Sequence, residues 1–142
     1  MEVDRNGLEV LDRDGCLRLL AQATIGRIGF TSGALPTVLP VSFHLAHGRI
    51  LVCAERGSRL HAALQDAVVA FEVDDTDTRR GSGWSVSVTG LSTEVGDRAA
   101  VAAARRAPGV HWALSADEVV FEISTELMSG RRVRVGPPPG TG

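Results

Sequence analysis

From residue 37 to residue 45 apolar and polar positions alternate with a period of two. Thr37, Leu39, Val41, Phe43 and Leu45 fall on one face of an extended chain, and Val38, Pro40, Ser42, His44 and Ala46 on the other. His47-Gly48 is a tight-turn pair, and residues 49–54 (RILVCA) return antiparallel to the first strand. The period then changes. Leu60, Ala63 and Leu64 recur at helical spacing just after Ser58, a good N-cap residue, which predicts a short helix over 60–65.

The same patterns mark the other elements. Residues 8–11 predict a short edge strand, and Asp12 caps an amphipathic helix over 13–23 that carries Cys16, Leu17, Leu20 and Ala21 on one side. Strands follow at 25–31 (Gly26, Ile28, Phe30), 68–74 (Val69, Phe71, Val73) and 83–95, where Trp84, Val86 and Val88 alternate with Ser85, Ser87 and Thr89. Between the last two, 75–82 (DTDTRRGS) predicts a polar connection. An alanine-rich, solvent-facing helix is expected at 97–107, then strands at 118–124 and 131–135. Pro40 cannot donate a ladder hydrogen bond, so it should mark an edge, a bulge or a bend. Six or seven strands at hairpin spacing with two or three helices predict a mainly β protein. Its expected form is an antiparallel barrel with peripheral helices rather than a βαβ sheet.

Composition narrows the function. At 142 residues the chain suits one domain, expected over 1–135, followed by a disordered tail at 136–142 (GPPPGTG). A net charge of −2 and a pI near 6.1 provide no electrostatic footprint for nucleic acid. All 15 basic residues are arginine and there is no tyrosine. Schiff-base and Walker lysines are therefore excluded, and with them covalent pyridoxal phosphate enzymes and P-loop NTPases. Cys16 and Cys53 are expected as reduced thiols, because the N-terminus is polar and acidic rather than a secretion signal. No apolar run reaches the roughly 18 residues of a membrane span, and a cytoplasmic location is expected.

Chemistry concentrates in residues 55–59. Ser58 opens a helix whose first N–H groups have no intrahelical acceptor, Arg56 and Arg59 flank it, and Gly57 permits close backbone approach. Together they form a phosphate cradle of the strand–loop–helix kind. An ordinary capped helix with two solvated arginines is the competing reading. Elsewhere the signals are weaker. His44 and His47 point to opposite faces of a strand and cannot share a metal, though His44 alone could ligate a haem. The acids of 75–82 are those of a solvated loop. No glycine-rich dinucleotide motif precedes a helix, and no nucleophile-elbow context surrounds a serine.

Taken in order, GRIGF (26–30), LPVSF (39–43), GSR (57–59) before a helix, FEVDD (71–75) and GWSVSVTG (83–90) resemble the FMN-binding split barrel of the pyridoxamine 5'-phosphate oxidase-like superfamily. The likeness covers about residues 10–135 and is nearest to the short actinobacterial, nitroimidazole-resistance-like branch. It implies an antiparallel split β-barrel that dimerises with itself and holds FMN at the interface of two chains. The implied activity is hydride transfer between a reduced cofactor and a small organic acceptor. A deazaflavin coenzyme in place of FMN, or a flavin- or haem-holding dimer without turnover, are alternatives within the same resemblance.

Carried onto this sequence, the resemblance makes Ser58 and Arg59 the phosphate-binding pair and Val52, Cys53 and Ala54 the strand ahead of it. Pro40, Val41 and Ser42 become the segment whose backbone meets the flavin ring. Trp84 and Ser85 become the later cofactor strand, and Arg131 a basic residue near the ring. Leu60 departs from the pattern, since it stands where the oxidase has a second basic residue.

Overall fold

The computed structural model describes residues 1–107 and 117–133. The 134–142 segment, with the expected tail, lies outside the described residues. The described residues form eight strands and three helices: β1 (Glu9–Leu11), α1 (Arg13–Gln22), β2 (Ile25–Ser32), β3 (Leu35–Ala46), β4 (Arg49–Glu55), α2 (Arg59–Ala63), β5 (Ala67–Asp77), β6 (Ser82–Glu94), α3 (Arg98–Arg106), β7 (Glu118–Ile123) and β8 (Leu127–Val133). Every strand pairing is antiparallel. The strands run β1-β8-β6-β5-β2-β3-β4-β7, and a further β6–β7 ladder closes six of them into a barrel with β8 and β1 added outside it. None of the described helices is long and apolar enough to cross a membrane.

Two-residue loops make the tightest hairpins. Gly33-Ala34 joins β2 to β3 and His47-Gly48 joins β3 to β4, all four residues at positive φ (56°, 65°, 51° and 75°). That conformation matches the twist of the flanking strands. In β2, β3, β5 and β6 the inward positions are those the alternation assigns: Ile28 and Phe30, Val41 and Phe43, Val69, Phe71 and Val73, and Val86 and Val88 are all buried, as are Ile50, Val52 and Ala54 of β4 and Phe121 and Ile123 of β7. Phe43 and Phe71 meet edge to face at 5.0 Å and 74°. The Phe71 ring lies over Gly26, where an added Cβ would come within 2.4 Å of it. α1 packs Cys16 and Leu20 into the core, and Leu60 and Ala63 of α2 pack against it.

Three boundaries differ from the sequence expectation. Asp75, Asp77 and Ser82 are ladder residues rather than loop, because Asp75↔Trp84 and Asp77↔Ser82 continue the β5–β6 hairpin; the turn is only 78–81. Asp77 Oδ1 accepts from the N–H groups of Arg79 and Arg80 and closes that turn. β8 begins at Leu127 rather than at 131, since Ser129 and Gly130 read as breakers but pair with Ser87 and Val86. Gly130 is needed there, because an added Cβ would lie 2.6 Å from Cys16 Sγ. α2 is shifted forward to Arg59–Ala63, ending where Asp66 turns left-handed (φ 44°).

Gly90 sits where β6 leaves β8 for β7, and an added Cβ would lie 2.0 Å from the Ser124 carbonyl oxygen. Gly90→Ala is therefore expected to cost about 2–3 kcal/mol in urea unfolding. Gly29→Ala, whose Cβ would meet Ala70 at an ordinary 3.5 Å, should stay within about 0.5 kcal/mol of the parent.

Candidate functional site

β3 and β4 pair only from Phe43↔Val52 to Ala46↔Arg49 and then diverge. β4 continues against β7, while residues 35–42 of β3 keep only β2 as a neighbour among the described strands. The Phe43 N–H donates to Thr24 O (3.0 Å), which fixes the parity of that ladder. Odd residues of β3 direct their backbone groups at β2, and even residues direct theirs at the opening. Pro36 and Pro40 are both even, so neither removes a ladder bond, and both leave the free edge with fewer donors. Pro40 thus marks an edge, as its chemistry requires.

The loop after β4 lines the other side of this opening. Ser58 Oγ accepts from His61 N–H (3.1 Å), and Gly57, at φ 82°, donates its N–H to His61 Nδ1 (2.9 Å). His61, which the sequence reading did not single out, therefore ties the loop from both sides, in the place a glutamate takes in a capping box. The S-x-x-H spacing was the available signal. α2 has only five residues, so its dipole is slight; the first-turn N–H groups and the side chains carry any anion binding. The two arginines differ. Arg56 Nε pairs with Asp117 Oδ1 at 2.9 Å, so its charge is already balanced. Arg59 has no carboxylate partner among the described residues and reaches across the opening to within 3.4 Å of Thr37 Oγ1.

The other expected site residues fall in different surroundings. Val41, Val52 and Ala54 point into the core, so only their backbone could meet a ligand. Cys53 points outward, beside Val120 and near Arg105 of α3, whose Nη2 donates to Glu118 O at 2.6 Å. Burial, then the neighbouring Glu118, pushes the Cys53 thiol up to about 11, which makes it an inert packing residue. Trp84 is half-buried on the inward face of β6 and packs against the core, while Ser85 faces outward. Arg131 pairs with Ser85 in the β6–β8 ladder, and its Nε donates to Asp4 Oδ2 at 3.0 Å. Within one chain the expected residues therefore divide: 40–42 and 58–59 border the β3–β4 opening, whereas 84–85 on β6 and 131 on β8 are three and four strands away from β3 in the sheet. Two further concavities, about 650 Å³ beside α1 and β1 and about 210 Å³ beside Trp84, include none of the opening's residues.

With the geometry in place, comparison with known proteins is decisive for the family. The model described as pyridoxamine 5'-phosphate oxidase matches residues 12–132. The chain belongs to that family. It is 40% identical over 129 residues to the uncharacterized protein Rv0080 of Mycobacterium tuberculosis, covering 87% of this chain and 84% of the relative. The FAD binding protein from Mycobacterium smegmatis superposes with a TM-score of 0.76 at 30% identity, over 89% of this chain and 100% of that one. An FAD-binding protein from Mesorhizobium loti shares the fold with a TM-score of 0.69 at 22% identity, over 89% and 99% of the two chains.

One feature of this oxidase-family barrel fits a bound polar ligand at the opening. Ser42 Oγ is buried and has no hydrogen-bond partner among the described residues. A buried hydroxyl without a partner costs about 1–3 kcal/mol, which a ligand heteroatom at that edge would recover. Leu60 packs against the core, so the second basic residue of the oxidase pattern is replaced by hydrophobic anchoring of α2.

The Cys53 environment is directly measurable. At pH 8 native Cys53 should react with a thiol reagent about a hundredfold more slowly than the unfolded chain, following the thiolate fraction. Its rate should keep rising as the pH approaches 11, the value set mainly by burial. A Cys16→Ser background isolates the signal.

Proposed function

We propose that this chain is one half of a homodimeric flavin-dependent oxidoreductase. The flavin lies along the free edge of β3, its phosphate is held by Ser58 and Arg59, and FMN is the form the cradle fits. The observation that carries this reading is the opening itself. Among the described residues it has an unpartnered buried hydroxyl, Ser42 Oγ, on one side and a guanidinium without a carboxylate, Arg59, on the other. The FAD binding protein at 30% identity supports a flavin. When bound, the flavin supplies hydride chemistry to a small organic acceptor. The chain contributes orientation: backbone groups of Pro40–Ser42 against the ring edge, a forked cation on the phosphate, and a loop held by His61.

A second chain is part of the proposal because Ser85 and Arg131 stand on β6 and β8, three and four strands round the sheet from β3, so a partner's copies of them are the ones offered to a flavin held by Ser58 and Arg59. The outward sheet face also favours a partner. Val38, Gly29, Ala70, Thr89 and Leu127 form one cross-strand row on it. Beside that row the Val68–Leu91 pair continues the apolar surface; Val38 is 65% exposed, Val68 68%, Leu91 47% and Leu127 69%. Arg27, bridging Glu72 (3.4 Å) and Asp74 (3.1 Å), adds both signs of charge at its margin. A face that is apolar at its centre and carries both charges at its rim is self-complementary under a two-fold axis.

Flavin fluorescence titration tests the cradle. Arg59→Ala should weaken FMN binding by about ten- to a hundredfold, the equivalent of one charged hydrogen bond, and leave riboflavin almost unchanged. Ser42→Ala should weaken both ligands while leaving the apoprotein as stable or more stable. Arg79→Ala, at the exposed β5–β6 turn, should do nothing. Equal losses of FMN and riboflavin in Arg59→Ala would overturn the phosphate assignment. Assembly is tested separately. The protein should sediment as a dimer at micromolar concentration, and Val68→Asp should yield a folded monomer. A parent that sediments as a monomer with flavin bound refutes the two-chain site.

A further inference from the structure

The strand register sets four side chains in one row at the end of the barrel away from the 55–59 loop. Asp75 pairs with Trp84, Trp84 with Arg132, and Arg132 with Glu9. Cross-strand neighbours of this kind have Cβ atoms about 5 Å apart and share a face. Asp75, Trp84 and Arg132 line the cavity of about 210 Å³, and Arg132 with Glu9 also lines the one of about 650 Å³, whose apolar walls are Val10, Leu11 and Leu19. Arg132 therefore stands between the two.

The charges along this row are unequal in their availability. Arg132 is held at two points by Glu9, Nε to Oε2 at 3.0 Å and Nη2 to Oε1 at 3.1 Å, so its positive charge is spent. Asp77 is occupied by the 78–81 turn and by Arg80. Among the described residues the Asp75 side chain has neither a hydrogen bond nor an ion pair. What the smaller cavity offers is thus an indole with one uncompensated carboxylate beside it. That combination attracts a cation: the ring face through its quadrupole and the carboxylate through its charge.

We propose that Trp84 and Asp75 form a binding site for a small organic cation, an ammonium group on an apolar body, with the body passing over Arg132 toward the larger cavity. The site uses neither the β3–β4 opening nor a flavin, so it stands or falls apart from the flavin reading. An anion is disfavoured at the Trp84 cavity because Arg132, the arginine that lines it among the described residues, is paired with Glu9. A neutral ligand would leave the Asp75 charge without a partner.

The test uses flavin-free full-length protein carrying Trp112→Phe, so that Trp84 alone reports by fluorescence. Benzylamine, benzyl alcohol and benzoate share one apolar body and differ in charge. Benzylamine should perturb Trp84 at least tenfold more tightly than either of the others. Asp75→Asn, an exposed position, should remove that preference and leave benzyl alcohol unchanged. Amide chemical shifts of the unmutated, isotope-labelled protein provide the same comparison if Trp112→Phe fails to fold, with changes expected at Gly83, Trp84 and Arg132. Equal responses to all three ligands, tighter binding of benzoate, or an unaltered preference in Asp75→Asn would each overturn the proposal.

Discussion

β6 has to serve two neighbours along one edge, and the fold depends on how it does so. Its first part pairs with β8 from Gly83↔Val133 to Thr89↔Leu127, and its last part pairs with β7 from Ser92↔Ile123 to Glu94↔Phe121. Between them the chain passes so close to Ser124 that no side chain fits at residue 90, and the Ser124 N–H donates to Leu91 O at 3.0 Å. Without that approach β7 would not reach β6, the barrel would remain an open sheet, and β7 would form an unprotected edge.

Closure at one seam creates the opening at another. Because β4 is drawn onto β7 from Ile50 to Glu55, it can follow β3 for only four residue pairs. The remaining edge of β3 is left without a strand, blunted by Pro36 and Pro40, and the loop after β4 faces it. Ser42, Arg59 and the His61-tied loop are consequences of the same divergence. A ligand lying there would supply backbone and hydroxyl partners that a strand supplies elsewhere in the barrel.

Polar networks then hold the ends of the barrel in place. The Arg13 guanidinium donates to the Thr125 carbonyl (2.6 Å) and hydroxyl (3.0 Å), and that hydroxyl donates to Gly48 O. The start of α1, the β7–β8 connection and the β3–β4 turn are thereby joined, with Thr125 buried at 3% exposure. Arg131 to Asp4 and Arg132 to Glu9 tie the N-terminal segment to β8 in the same way. These pairs are partly exposed, so their value lies more in fixing positions than in net stability.

Much of this architecture was legible in the residues. Period-two alternation assigned the inward faces of β2, β3, β5 and β6, because one buried face per strand forces that pattern. Asp12 and Ser58 announced their helices, and His47-Gly48 its turn, because those effects are local. Pro40 announced an edge for the same reason. Non-local facts were not legible. Nothing near Gly90 says that Ser124 will approach it, nothing near Arg56 says that Asp117 will neutralise it, and nothing near Trp84 says that Asp75 and Arg132 will flank it. Each depends on strands distant in sequence, and register between them is set by packing the whole core at once. By itself the sequence determined the strands, their faces and the loop able to hold an anion. Which residues share a site was decided only by the tertiary structure, through the closure that aligns those strands.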